Sequence, residues 1–88
     1  MIYLDVRTQE EYDEGHIKNA LNLDVYDIMR GADPECARDE EIIVYCASGS
    51  RSGVAAQILR ERGFLKTQNG GGYDGLITQG LVWERVRL

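Results

Sequence analysis

Cysteine, proline and histidine are scarce in this chain, which has two, one and one of them. Two cysteines without a Cys-x-x-Cys spacing make no disulfide framework. With a single histidine they make no metal-site pattern either, and no metal or cofactor is implied. No apolar run approaches the ~20 residues of a membrane helix. No signal-peptide pattern is visible, because Met1 leads straight into strand-like sequence. Positive charge is outweighed: 10 Lys and Arg face 15 Asp and Glu, for a net charge of −5. That balance argues against nucleic acid and anionic membrane surfaces as partners. Apart from the triplet Gly70-Gly71-Gly72 there is no low-complexity segment, and there is no internal repeat or linker.

What remains is an ordinary globular composition, 43% hydrophobic over 88 residues, read as one domain spanning 1–88. So short a chain buries a modest fraction of its surface, and marginal stability is expected. Tyr3-Leu4-Asp5-Val6, apolar except for Asp5, reads as a buried parallel strand. Thr8-Gln9-Glu10-Glu11 is a capping-box pattern opening a helix to about Glu14, with Gly15 as its stop. Ala20 to Leu23 reads as a second strand, and Asp24 caps a helix from Val25 to about Arg30, ended by Gly31. Asp33 to Glu41 is an acidic, solvated connector around Pro34. Ile42 to Tyr45 is the clearest strand. A helix from Ser52 to about Arg62 follows, with Val54, Ala55, Ile58 and Leu59 expected on its buried stripe and Ser52 as its N-cap. A weak strand near Thr67-Gln68 precedes the glycine triplet and Tyr73. Leu81 to Leu88 fits neither period, and Trp83 is expected to pack on the body of the domain. The alternation of strands and helices predicts an α/β protein, a small parallel sheet flanked by helices on both faces.

Cys46-Ala47-Ser48-Gly49-Ser50-Arg51 lies between the clearest strand and the clearest helix. The C-terminal ends of parallel strands are where ligands bind in open α/β sheets. Small residues let the backbone curl so that its N–H groups converge, the helix N-terminus adds partial positive charge, and Arg51 adds a fixed cation. Lowering a thiol from pKa ~8.5 to ~6.5 takes about 2.7 kcal/mol of preferential thiolate stabilisation. A helix terminus supplies roughly 0.3–1 kcal/mol when exposed and about 2 when partly buried, so N–H donors and Arg51 are needed as well. Gly49 is expected to take a positive φ. Cys36 lies among Asp33, Glu35, Asp39, Glu40 and Glu41, which should raise its pKa and make it a poor nucleophile; the alternative is a resolving thiol for Cys46.

This loop with Ser52-Gly53, together with Asp5-Val6-Arg7 and Glu14-Gly15-His16-Ile17, resembles a single-domain rhodanese, closest to the small phage-shock-protein-E type of thiosulfate sulfurtransferase. The likeness runs from about Tyr3 to about Gly75. It implies a rhodanese-like fold and a sulfurtransferase whose nucleophile, Cys46, takes a sulfane sulfur as a persulfide and passes it to a thiophilic acceptor. Ala47, Ser48, Gly49 and Ser50 would supply backbone donors. Arg51 has two roles open to it, forked binding of the donor's sulfonate or an ion pair with a nearby carboxylate, and the first is favoured. Asp5 and Arg7 are read as a bracing salt bridge, His16 as structural support at a turn, and Gly71 and Gly72 as permitting close backbone approach beside the loop. The partners implied are a small sulfur donor and a cyanide or thiol acceptor, with a thioredoxin-like protein as a further option. A monomer is expected, in the periplasm if the chain is a processed mature form and in the cytoplasm otherwise.

Two other function classes compete. A persulfide carrier or regulatory binding module would use the same fold. A phosphatase or arsenate reductase would need a longer Cys-to-Arg loop than the four intervening residues present here, which suit the smaller sulfur atom.

Overall fold

The computed structural model describes residues 1–78 and the short strand at 83–84. The chain runs β1 (Ile2–Asp5), α1 (Gln9–Glu14), β2 (His16–Ile17), β3 (Leu21–Asn22), α2 (Val25–Met29), β4 (Ile42–Cys46), α3 (Ser50–Glu61), β5 (Thr67–Gly72), α4 (Tyr73–Thr78) and β6 (Trp83–Glu84). Four strands form the parallel sheet, in the order β3-β1-β4-β5. The α/β architecture is therefore the one the sequence pattern predicts. An antiparallel pair, β2 with β6, is added to it. The segment at His16–Ile17, expected as a turn, is thus a two-residue strand, too short to carry a readable period. The side-chain packing expected of Trp83, and the rest of the 81–88 tail, lie outside the described residues.

Local rules account for the helix ends. Thr8 caps α1 through a complete capping box with Glu11, and Asp24 caps α2 by accepting from the Tyr26 N–H. Side chains alternate along each strand, so the sheet has two differently filled faces. On one face Leu4, Ile42, Val44 and Cys46 pack with Val25 and Ile28 of α2, with Ala55, Ala56 and Leu59 of α3, and with Phe64. On the other, Tyr45 clusters with Ile17, Ala20 and Leu76, edged by three tyrosines and Ile77.

Helix α3 departs from expectation in two ways. It begins at Ser50, with Gly49 in the N-cap position, so Ser52 lies inside the first turn and is buried. Its inward stripe is Ser52, Ala55, Ala56 and Leu59, a spacing of i, i+3, i+4, i+7, whereas Val54 is 47% exposed. Adjacent residues diverge by about 100° around a helix, so one buried stripe rarely holds Val54 and Ala55 together with Ala56. The connector between α2 and β4 is also less solvated than its charge suggests. Pro34 is buried and Cys36 packs against the core, while Asp33 and Glu35 stay exposed. Arg62 pins the start of this connector, donating from Nη2 to the Ile28 carbonyl (2.6 Å) and from Nη1 to that of Ala32 (2.9 Å).

Strand β5 absorbs the whole glycine triplet. Its pairing with β4 runs Val44↔Asn69 and then Tyr45↔Gly71, so Gly70 is an extra residue in a bulge. A Cβ on Gly70 would meet Ile43 Cγ2 at 2.6 Å, and one on Gly72 would meet the Ala47 carbonyl oxygen at 2.6 Å. No other residue type fits at either place without moving backbone or core. The bulge sets Gly72 opposite Cys46, directly beneath the loop.

Candidate active site

Cys46 ends β4 at the C-terminal edge of the sheet, and its side chain has no exposed surface. The loop that follows folds back over the sulfur. The Gly49 N–H donates to Sγ at 3.0 Å, the Ser52 N–H points to it at 3.4 Å, and the Ser52 hydroxyl lies 3.4 Å away. Gly49 adopts φ +97°, and a Cβ there would lie 3.3 Å from Gly71 Cα. A left-handed residue pressed against another backbone is one that only glycine fills at low cost. Ala47, Ser48 and Ser50 are exposed around the rim, the last two with their hydroxyls 3.3 Å apart.

The thiol is tuned by two opposing effects. Burial is the largest single influence and disfavours the thiolate. The Ser52 hydroxyl and the N–H groups of Ser52, Ser48 and Gly49 together outweigh it, so Cys46 is held below the ordinary thiol value. Thiolate hydrogen bonds are charge-assisted and stronger than neutral ones, which is how several of them overcome desolvation.

Ser52 is itself positioned by Asn69 of β5. The Ser52 hydroxyl lies 2.6 Å from Asn69 Oδ1 and 3.1 Å from the Gly49 carbonyl. Asn69 also donates from Nδ2 to the Gly49 carbonyl (3.1 Å) and accepts from the Gly71 N–H (3.0 Å), which fixes its amide orientation. The loop, the first turn of α3 and the bulged strand are therefore one hydrogen-bonded unit. Nothing in Thr67-Gln68-Asn69 marks this role in the sequence, since it depends on a pairing 17 to 20 residues away.

Arg51 sits at the loop mouth, and its guanidinium is held by a carboxylate. Nη1 donates to Glu11 Oε1 at 2.7 Å and Nη2 to Oε2 at 3.1 Å. Of the two roles open to Arg51, the ion pair is the one present in the structure; it engages two of the five guanidinium N–H groups. Glu11 is shared between this pair and the cap of α1, since the Thr8 N–H also donates to its Oε1 (3.1 Å). Hydrogen bonding from Arg51, against the opposing effect of burial, pushes the Glu11 carboxyl down to about 2. The capping box was legible at Glu11; the link across 40 residues to Arg51 was not.

The remaining expected residues brace the second face of the sheet. Arg7 and Asp5 form a buried pair, with Nη2 to Oδ2 at 2.6 Å and Nε to Oδ1 at 2.9 Å. Arg7 Nη2 also reaches the Gly15 carbonyl (2.7 Å), and its guanidinium lies 4.4 Å from the Tyr73 ring centroid. This bridge ties β1 to the end of α1 and does not touch the thiol. His16 stacks on Tyr12 at 3.7 Å, with Nδ1 2.8 Å from the Tyr12 carbonyl. A carbonyl only accepts, so Nδ1 carries the proton, and the ring is a structural part of the α1–β2 corner. Cys36 is held above the ordinary thiol value, by burial first and the Glu40 charge second, against a smaller effect of Arg38.

Comparison with known proteins agrees with this geometry. Residues 1–77 match the model of the Rhodanese-like domain family. The chain is 34% identical over 71 residues to the thiosulfate sulfurtransferase PspE of Escherichia coli, covering 80% of this chain and 68% of PspE. A solved rhodanese-like domain from Anabaena sp superposes with a TM-score of 0.87 at 27% identity, covering 100% of this chain and 95% of that one. A structure described as rhodanese with anions, from E. coli, superposes with a TM-score of 0.76 at 26% identity, covering 96% of each chain. With a cysteine loop at the end of the central parallel strand and a family match over nearly its whole length, this chain belongs to the rhodanese-like domain family.

Proposed function

We propose that the protein is a sulfurtransferase that moves a sulfane sulfur from thiosulfate, or a similar donor, to a thiophilic acceptor such as cyanide or a thiol. The observation that carries this reading is the Cys46 sulfur enclosed by the Gly49 and Ser52 N–H groups, with the Ser52 hydroxyl beside it, a setting that lowers its pKa. Family membership and the likeness to a thiosulfate sulfurtransferase support sulfur transfer in general.

In the first step the Cys46 thiolate attacks the outer sulfur of thiosulfate. The bond between the two thiosulfate sulfurs breaks, sulfite leaves with the electron pair, and Cys46 carries a persulfide anion. In the second step the acceptor attacks the terminal persulfide sulfur and the Cys46 thiolate is released; cyanide leaves as thiocyanate. The lowered thiol raises the share of Cys46 present as thiolate, and that ionised form attacks without a general base. The donors around Sγ and the first turn of α3 face the negative charge in both states. Arg51, in this reading, offers its remaining N–H groups to the sulfonate end of the donor. The likeness to a rhodanese solved with anions is in keeping with a loop built to hold negative charge.

The test is the intact mass of the protein after brief exposure to thiosulfate. One added sulfur, about 32 Da, is expected on the wild type and is removed by cyanide. No adduct, or one equally present in Cys46→Ser, would overturn the proposal.

A further inference from the structure

The proposed donor, thiosulfate, is a dianion, yet Arg51, the arginine that the described residues place at the loop mouth, already holds a carboxylate. Arg51 and Glu11 are paired by two hydrogen bonds, and both side chains are about one-third exposed, at 31% and 32%. Arg7, the arginine that follows the C-terminal end of the neighbouring strand β1, is taken up by Asp5. Asp24, the N-cap of α2, adds negative charge that acts on Arg51, and the Cys46 thiolate adds more. Among the described residues, a donor entering this mouth therefore meets N–H dipoles and a neutralised guanidinium, with no further arginine free beside it to match a second negative charge.

We propose that Glu11 is a specificity-determining residue that neutralises Arg51 and biases the site toward singly charged sulfane donors over dianionic thiosulfate. The inference rests on the sulfur-transfer reading and concerns the class of donor. Organic thiosulfonates fit the bias. They present the same terminal sulfur on a sulfonyl group but carry one negative charge. The chemistry is parallel: the Cys46 thiolate attacks the terminal sulfur, the sulfur–sulfur bond breaks, and a sulfinate leaves with the electron pair in place of sulfite. Atoms and charge balance in both cases, so a difference between the two donors reports the field at the mouth.

Glu11→Gln separates charge from structure. Glutamine also serves at the third position of a capping box, so the α1 cap is kept while the charge is removed. The measurement is kcat/KM for sulfur transfer to cyanide from thiosulfate and from methanethiosulfonate, at one ionic strength, in wild type and variant. One unit charge acting on the extra charge of the dianion across a partly exposed site is worth on the order of a tenfold change. The thiosulfate-to-thiosulfonate ratio is expected to rise about tenfold in Glu11→Gln, and in the wild type to rise with salt as the repulsion is screened. Thr8→Ala, which weakens the cap and keeps the charge, should retain the wild-type ratio. A ratio in Glu11→Gln within about twofold of wild type would overturn the proposal. So would a fall, which would mean that Glu11 aims Arg51 at the donor, or an equal rise in Thr8→Ala, which would assign the effect to loosening of α1. Transfer from neither donor by the wild type would sink the sulfur-transfer reading itself and this inference with it.

Discussion

The two cysteines of this chain lean on the same apolar cluster and are driven in opposite directions. Cys46 is part of that cluster and Cys36 packs against its edge. Burial is the leading influence on both, and in both it disfavours the thiolate. At Cys36 the nearby Glu40 adds to it and the thiol is raised. At Cys46 the loop supplies hydrogen bonds from Ser52, Ser48 and Gly49, and the thiol is lowered. Position in the core therefore says nothing about reactivity by itself. A cysteine becomes a nucleophile when its surroundings put back, as oriented N–H and O–H groups, more than the water that burial took away.

The largest effect expected from this contrast is all-or-none. Cys46→Ser should lose the thiosulfate-derived sulfur adduct completely, and Cys36→Ser should keep it in full, read by intact mass. An adduct that builds up further or lasts longer in Cys36→Ser than in the wild type would break the comparison, because a resolving thiol attacks the Cys46 sulfur of the persulfide, forms a Cys36–Cys46 disulfide and releases the outer sulfur as sulfide.

Next in size is the effect of the donors themselves. In the two single-cysteine variants, titration of the ultraviolet thiolate absorbance should place Cys46 below the ordinary ~8.5 and Cys36 above it. Ser52→Ala in the Cys36→Ser background deletes one hydroxyl from the thiolate's shell. A hydrogen bond to a charged group contributes about 1.5–3 kcal/mol, and this hydroxyl also faces Asn69 and the Gly49 carbonyl. The single hydroxyl proton is shared between the Asn69 oxygen and the thiolate, so a small upward move is expected at Cys46. No movement would leave the backbone N–H groups as the whole cause of the lowered thiol.

Gly49→Ala attacks the loop's shape. It forces a side chain into the left-handed region and toward Gly71 Cα at 3.3 Å. About 1–2 kcal/mol of stability should be lost, a fall in Tm of roughly 4–16 °C for a domain of this size. Because the Gly49 N–H is the shortest contact to Sγ, the Cys46 thiol should move toward the behaviour of Cys36 at the same time. A variant that loses stability while its thiol titrates unchanged would show that the N–H groups keep their aim without this backbone conformation.

How far the sequence discloses this site depends on the distance over which each part is determined. The strand, the loop and the helix are contiguous, so Cys46, the positive φ of Gly49 and the close approach of Gly72 were legible from residue types and order. The capping box of Thr8 with Glu11 was legible for the same reason. Ser52 was misread as a cap because the helix begins two residues earlier, at a position where Gly49 provides no side-chain cap. Asn69 and the identity of the carboxylate that pairs with Arg51, Glu11, were invisible because each joins segments brought together only by the sheet order β3-β1-β4-β5 and its bulge. The pairing of β2 with β6 was missed for a related reason: two residues of strand carry no period, and the partner lies more than 60 positions away.

The smallest expected effect is also the most direct comparison of the two thiols, because it reads both through one quantity, the pH dependence of stability. A group whose folded pKa is depressed gives stability that is present above its unfolded pKa and lost as pH falls through the folded value. Cys46 is such a group, so its contribution should grow with pH up to about the ordinary thiol value of ~8.5. A group whose folded pKa is raised gives stability that is present below its unfolded pKa and lost as pH rises through the folded value. Cys36 is of that kind, so its contribution should shrink with pH above ~8.5. The slope of either is at most about 1.4 kcal/mol per pH unit, the limit for one proton. Denaturant unfolding across this range should show the wild type gaining on Cys46→Ser as pH rises toward ~8.5. It should show the wild type losing ground to Cys36→Ser in the alkaline region. Slopes of the same sign would mean that the loop's donors do not outweigh burial at Cys46, and the two cysteines would then differ in location alone.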